Sequence, residues 1–291
     1  IRVNPYQNSI DFLDLAEKII PLGSQTFSKS KTQYPVGISP LFIERGEGSK
    51  VWDIDGNQYI DFVNSLLAVS IGYNDASVNA AVIEQLKKGV SFSLPTKLEY
   101  EVSSLLVDMV PCAEMVRFGK NGSDATSAAI RLARAYTQRD YIAVCGYHGW
   151  HDWYIGTTTK DLGVPEATSG LSFSFPYNNI DALERLLENH KNKFAAIIIE
   201  PINAVYPEPG YLEAVRELAT KHRIVLIFDE ICTGARLSIG GAQELFGVTP
   251  DLCAMGKGLS NGHPLSAVMG KREIMELCSE IFFSGTFGGE N

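Results

Sequence analysis

Close cysteine pairs are missing from this sequence. Its five cysteines, Cys112, Cys145, Cys232, Cys253 and Cys278, are widely spaced, and no C-x-x-C pair suggests a zinc site or a dithiol redox centre. That usage fits a reducing compartment, so a cytoplasmic protein is expected. Positive charge is in deficit as well: 25 Lys and Arg against 34 Asp and Glu leave a net charge of −9. This is the wrong sign for gripping a polyanion, and no nucleic-acid partner is expected. The longest apolar stretches, such as Ile224-Val-Leu-Ile-Phe228, fall far short of the roughly 18–20 residues of a membrane helix, so no membrane partner is expected either. The glycine fingerprint of a dinucleotide site is absent, and no internal repeat or charged linker divides the chain.

What is present is an ordinary globular composition, 45% hydrophobic and 20% charged over 291 residues, enough for about two domains of roughly 150 residues. Residues 1–70 read as an amphipathic helix near 9–20 followed by short strands. Val51-Trp-Asp-Ile-Asp-Gly-Asn-Gln-Tyr-Ile60 has the pattern of a β-hairpin, with two apolar runs around Asp-Gly-Asn. From about Ala76 onward helical and buried-strand patterns alternate. Helices are expected near 76–88, 100–110, 123–136, 180–190 and 211–221, and apolar strands near 115–118, 141–145, 195–199 and 224–228. Such alternation predicts an α/β fold with crossover helices on a mostly parallel sheet, and chemistry gathered beyond the carboxyl ends of its strands.

Several of those strand ends carry polar residues. After 115–118 comes Gly119-Lys-Asn-Gly-Ser-Asp-Ala125, which reads either as a plain helix N-cap or as a cup for a phosphate, since both need small residues and free first-turn N–H groups. After 141–145 comes Gly146-Tyr-His-Gly-Trp-His-Asp152, where Tyr147 reads either as a stacking platform or as a loop aromatic packed on the core. The next two strands end in Glu200-Pro201 and Asp229-Glu230. A carboxylate there is costly without donors or a positive partner; Asp229 therefore needs a cation, the alternative being a helix cap, although no clear helix begins at Ile231-Cys-Thr-Gly234. Lys257 stands between two glycines after a short apolar run, and confinement of that kind can suit a lysine for chemistry, although most lysines are solvated surface.

The ordered set Asn121-Gly-Ser-Asp-Ala125, Tyr147-His-Gly149, Glu200-Pro201, Asp229-Glu-Ile-Cys-Thr-Gly234, Gly256-Lys257 and Gly285-Thr286 resembles the class III aminotransferases, which use pyridoxal 5′-phosphate on the fold type I scaffold. Val116-Arg-Phe118, Ala129-Ile-Arg-Leu-Ala-Arg134 and Thr233-Gly-Ala-Arg236 are similar to the branch containing glutamate-1-semialdehyde 2,1-aminomutase. The resemblance implies a seven-stranded, mostly parallel sheet in residues 71–291. It also implies a small α+β domain built from residues 1–70 and a C-terminal part that this sequence lacks.

The resemblance further implies roles. Lys257 would form the Schiff base with the cofactor aldehyde and shuttle the substrate Cα proton, and Asp229 would hold the pyridine nitrogen protonated. Gly122 and Ser123, with Asn121, would bind the phosphate; Tyr147 and Ile231 would cover the two ring faces, with His148 beside them. Glu200 and Asn203 match positions near the phenolic oxygen. Thr286 would reach the site of a neighbouring subunit, which implies a homodimer. The activity implied moves an amino group from a small-molecule donor to a carbonyl acceptor, with the aminomutase reaction as the alternative. That branch grips its substrate carboxylate with an Arg where this sequence has Phe42, which Phe cannot replace, so a less anionic substrate is expected.

Overall fold

The computed structural model describes residues 4–291, in two compact units, Ile1–Glu84 and Gln85–Asn291. The border expected at residue 70 falls inside the first of them.

In the first unit the expected helix runs over Gln7–Ala16, and strands β1 (Ile43–Glu47), β2 (Lys50–Asp53) and β3 (Gln58–Ile60) form an antiparallel sheet in that order. The Asp-Gly-Asn turn closes the β2–β3 hairpin as its sequence requires, with Gly56 at φ +84°, where a side chain would be strained. Buried Asp53 organises this turn by accepting hydrogen bonds from the Asn57 N–H at 2.7 Å and the Tyr59 hydroxyl at 2.8 Å. Asp55, at the tip, accepts from the N–H groups of Asn8 and Ser9 at 2.7 and 3.0 Å and so takes up free donors at the start of the helix. Phe42 lies here too, edge-on to Phe12 with ring centroids 4.9 Å apart.

The second unit holds a seven-stranded sheet made from β4 (Met115–Gly119), β5 (Tyr141–Cys145), β6 (Ser172–Ser174), β7 (Phe194–Ile199), β8 (Val225–Glu230), β9 (Leu252–Met255) and β10 (Ser266–Gly270), in the order β4-β10-β9-β8-β7-β5-β6. The β5–β6, β5–β7, β7–β8 and β8–β9 pairs are parallel, whereas β10 runs antiparallel to both β9 and β4. Six strands therefore point one way, and their carboxyl ends share one edge.

Strand β7, Phe-Ala-Ala-Ile-Ile-Ile, is buried at every position, as a strand covered on both faces must be. Its side chains alternate between two cores: Ile197 and Ile199 pack with Leu183, Leu187, Leu212 and Val215 from the helices Ile180–Asn189 and Tyr211–His222. Ala196 and Ile198 pack on the other side, with Ala125, Ala129 and Ala133 of the helix Gly122–Thr137. Small residues on this helix let it approach the sheet closely, which brings its N-terminus to the edge where the strands end.

Candidate active site

The common strand edge brings together segments that are distant in sequence. The helix Gly122–Thr137 begins just beyond β4 with a capping box: Asn121 caps the helix, and Asp124 accepts from the Asn121 N–H at 2.7 Å and the Lys120 N–H at 3.0 Å. The capping reading of this segment therefore holds. It leaves the Gly122 and Ser123 N–H groups without an acceptor among the described residues, so capping and anion binding do not compete. The Ser123 hydroxyl accepts from the Trp150 N–H at 3.2 Å, which ties the loop after β5 to this helix start. Gly149 is required at that crossing: it sits at φ +106°, and a Cβ there would fall 2.2 Å from the Ser123 Oγ.

Strand β8 runs two residues beyond the expected 224–228 and ends with Asp229 and Glu230, both buried, and no helix starts at Ile231. Because side chains alternate along a strand, Asp229 shares a face with Ile227, and Glu230 points to the opposite face with Phe228. Asp229 Oδ2 lies 2.8 Å from His148 Nδ1, and its Oδ1 accepts from the Ile231 N–H at 3.1 Å. His148 is buried, with its backbone carbonyl accepting from Thr126 Oγ1 at 2.9 Å and its Nε2 left without a partner among the described residues. His148 thus stands beside Asp229. His151, spaced from it as H-x-x-H, instead meets Ser127 Oγ at 2.6 Å, and no cluster of three or more potential metal-ligating His, Cys, Asp or Glu occurs among the described residues.

Glu200 follows β7 and lies beside Asp229. Its Oε2 accepts from the Tyr147 N–H at 2.9 Å and from Asn203 Nδ2 at 3.1 Å. Burial pushes the Glu200 carboxyl above its usual range; the Tyr147 N–H works against this, the Asp229 charge adds to it, and His148 and Lys257 oppose it. Tyr147 is 59% exposed, and its ring meets that of Tyr154 in a T-shaped contact with centroids 5.7 Å apart. Burial raises the Tyr154 hydroxyl to about 12, so it stays protonated while donating to the Gly146 carbonyl at 2.9 Å.

Lys257 comes two residues after β9 and adopts φ +44°, a left-handed conformation that costs a non-glycine residue on the order of 1 kcal/mol or more and must be held by its surroundings. Its Nζ lies 2.6 Å from Cys232 Sγ. Ile231 joins these parts. A Cβ at Gly122 would lie 3.1 Å from its side chain and one at Gly256 would lie 3.2 Å away, so the helix start, the Asp229 turn and the lysine turn close on one isoleucine.

Thr286 behaves differently. It is exposed, on a turn that lines a groove of about 960 Å³ with Lys120, Asp124, Ser127, Arg131 and Phe287, and neither Lys257 nor Asp229 lines that groove. Arg236 donates Nε to the Cys232 carbonyl at 2.8 Å. Two features of this edge had no separate sequence signal: the contact of His148 with Asp229, and that of Cys232 with Lys257. Both residues stand inside motif strings, and only pairing across the sheet joins them to their partners.

A family model for aminotransferase class III matches residues 33–291. The chain belongs to the class III aminotransferases. Its relatives in this family include a 3-aminobutyryl-CoA aminotransferase from Cloacimonas acidaminovorans, 43% identical over 287 residues, covering 96% of this chain and 68% of that protein. A glutamate-1-semialdehyde 2,1-aminomutase from Persephonella marina is 44% identical over 275 residues, covering 87% of this chain and 64% of that protein. A solved transaminase with pyridoxal phosphate bound superposes with a TM-score of 0.91 at 27% identity, over the whole of this chain and 71% of that one. The class III chain described here thus spans about two thirds of the length of these relatives.

The edge of this class III chain suits pyridoxal 5′-phosphate, the family's cofactor, on its own chemistry. Among the described residues, a buried carboxylate without a lysine or arginine partner is matched to a protonated pyridine, unfilled helix N–H groups suit a phosphate, and a lysine on a strained turn suits an aldehyde.

Proposed function

We propose that this chain is the cofactor-binding part of an aminotransferase that moves an amino group from a small-molecule donor to a carbonyl acceptor, using Lys257. The observation that carries this reading is the meeting of Asp229, Lys257 and the start of the Gly122–Thr137 helix around Ile231. Bound pyridoxal 5′-phosphate supplies an aldehyde that captures amines and a ring that accepts the electron pair freed at the substrate Cα.

The rest is work for the chain's own residues. Asp229 holds the proton on the ring nitrogen and is itself oriented by His148. Asn121 shapes the helix start, Gly122 and Ser123 hold the phosphate through backbone N–H groups and the serine hydroxyl, and Tyr147 and Ile231 cover the ring faces. Glu200 and Asn203 act as a hydrogen-bonded pair near the phenolic oxygen. Lys257 Nζ, as a free amine, would take the proton from the substrate Cα and return it. We assign Thr286 to the phosphate of a neighbouring subunit's site, because in its own chain it faces a groove that the lysine does not share. This makes the working enzyme a homodimer, and we place it in the cytoplasm. No helix among the described residues is long and apolar enough to cross a membrane. Residues 1–70 are proposed as the N-terminal segment of the small domain.

For the substrate, Phe42 in place of a carboxylate-gripping Arg favours an amine whose reacting end carries no free carboxylate. A 3-aminoacyl thioester, named by the 43% identical relative, has that chemistry. Intramolecular amino transfer, as in the aminomutases, is the second reading, and the 44% identity to one of them supports it.

The test is spectroscopic. The purified full-length protein is expected to be yellow and to bleach when an amino donor is added. Lys257→Ala should lower turnover by roughly 10²–10⁴-fold or more, with an unchanged circular dichroism spectrum. A colourless protein that takes up no pyridoxal phosphate would falsify the proposal. Efficient isomerisation of glutamate-1-semialdehyde without an external donor decides for the second reading.

A further inference from the structure

We propose that Cys232 and Lys257 form a reversible sulfur–nitrogen cross-link under oxidation, which takes the lysine out of service. The effect on turnover rests on the role given to Lys257 above, whereas the bond itself does not.

The register of the sheet makes the pair. Parallel strands β8 and β9 align Glu230 with Met255, so the residues two places further on, Cys232 and Lys257, leave the sheet side by side. Both turns are tightly held. A Cβ at Gly234 would fall 2.7 Å from Met255, the Gly234 N–H donates to the Glu230 carbonyl at 2.8 Å, and Arg236 Nε fastens the Cys232 carbonyl. Sγ and Nζ end 2.6 Å apart, closer than ordinary contact between sulfur and nitrogen, and both residues are partly open to solvent.

The other thiols are poorly placed for the same chemistry. Cys112, Cys145 and Cys253 are buried. Burial pushes the Cys145 thiol to about 12, while a hydrogen bond with Cys112, followed by burial, raises that of Cys253. Burial raises the Cys278 thiol too. All three hold their protons and are weak nucleophiles.

A peroxide is the oxidant. The Cys232 sulfur, as thiolate, attacks one peroxide oxygen; the S–O bond forms, the O–O bond breaks, and the other oxygen leaves as water after protonation. Sulfur is thereby oxidised by two electrons to the sulfenic acid, and the peroxide is reduced. The neutral Lys257 Nζ then attacks Sγ; the S–N bond forms, the S–O bond breaks, and hydroxide leaves with the proton lost from nitrogen as a second water. In sum, one thiol, one amine and one hydrogen peroxide give one S–N bond and two waters. Two equivalents of an external thiol reverse it, restoring the amine and the cysteine and ending as a disulfide.

The experiment treats the full-length protein, stripped of cofactor, with hydrogen peroxide, digests it without added thiol and reads the peptides by mass spectrometry. The expected product joins the peptides of Cys232 and Lys257 at two hydrogens below their summed mass, is released by dithiothreitol, and is absent from Cys232→Ser. Activity of the reconstituted enzyme should fall in step with the cross-link and return with the thiol. Recovery of Cys232 as sulfinic acid, or as free thiol, beside an unmodified Lys257 overturns the proposal. Prior loading with pyridoxal phosphate should suppress the cross-link. If it forms equally in the loaded protein, the bond stands, and the assignment of Lys257 as the cofactor lysine falls instead.

Discussion

Two buried aspartates stand at opposite edges of the same sheet and are treated in opposite ways. Asp251 immediately precedes β9 at the amino edge. It meets Lys271 Nζ at 2.6 Å and Arg216 Nη1 at 2.8 Å, and accepts from the Leu226 N–H at 2.8 Å. Asp229, at the carboxyl edge of β8, has one histidine nitrogen and one backbone N–H, with no lysine or arginine bridge among the described residues. The first carboxylate is neutralised and ties the Tyr211–His222 helix, β8 and the segment after β10 together. The second is buried with its charge only partly answered, as a group waiting for a cationic ligand should be. The contrast teaches that burial alone does not mark a functional carboxylate; the sign and number of its partners do.

Three substitutions break or sharpen that contrast. The largest stability effect is expected for Asp251→Asn, which should lower the unfolding free energy by on the order of 3 kcal/mol, near the low end for a broken buried pair because Lys271 is 46% exposed. Burial works to raise the Asp251 carboxyl, but Lys271, Arg216 and the Leu226 N–H win and hold it below its usual range. A carboxyl depressed in the folded state contributes stability that is complete above the ordinary carboxylate range and is lost as pH falls through its lower, folded value. Denaturation of wild type and Asp251→Asn at several pH values should therefore give curves that converge only in strong acid. Curves that stay parallel would remove Asp251 from the account.

For Asp229→Asn the expectation inverts. The cofactor-free protein should keep its unfolding free energy to within about 1 kcal/mol, since a neutral amide replaces a carboxylate that lacks a cation. Turnover of the full-length enzyme should fall by roughly 10²–10³-fold, the scale of losing one preorganised electrostatic partner. A destabilisation as large as that of Asp251→Asn would erase the distinction between the two edges. The smallest effect belongs to Asn121→Ala, about 1 kcal/mol of stability for a lost N-cap. It should also weaken pyridoxal phosphate binding measured by titration of absorbance. Unchanged affinity would separate the capping role from the proposed phosphate cup.

Glu230 shows the limit of reading such residues in order. It adjoins Asp229 in the same strand end, and nothing in the string Asp-Glu-Ile-Cys distinguishes the two acids. In the fold, Glu230 accepts from the Ala242 N–H at 2.6 Å, Thr233 Oγ1 at 2.8 Å, Gln243 Nε2 at 3.0 Å and the Gln243 N–H at 3.1 Å. Gly241, at φ +81°, permits this approach, because a Cβ there would fall 2.2 Å from the carboxylate. One residue of offset turns a carboxylate to the other face, and tertiary contacts then make it purely structural.

Much of the architecture was nevertheless written in the chain. Continuous apolar runs bounded by polar ends predicted strands close to β5, β7 and β8, and the Asp-Gly-Asn turn predicted the β2–β3 hairpin, because burial and turn chemistry are local demands that particular residues satisfy. The ordered motifs also singled out Lys257, Asp229 and the Gly122–Ser123 helix start, segments that the fold gathers around Ile231. Strand β10 escaped notice: Ser-Ala-Val-Met-Gly is too short and too mixed to announce itself, and its antiparallel pairing with both β4 and β9 is a property of the assembled sheet. Only tertiary structure could set His148 against Asp229, since 81 residues separate them, and Cys232 against Lys257, 25 apart. Those contacts are decided by strand order and register, which depend on how whole elements pack and on no single segment's preference.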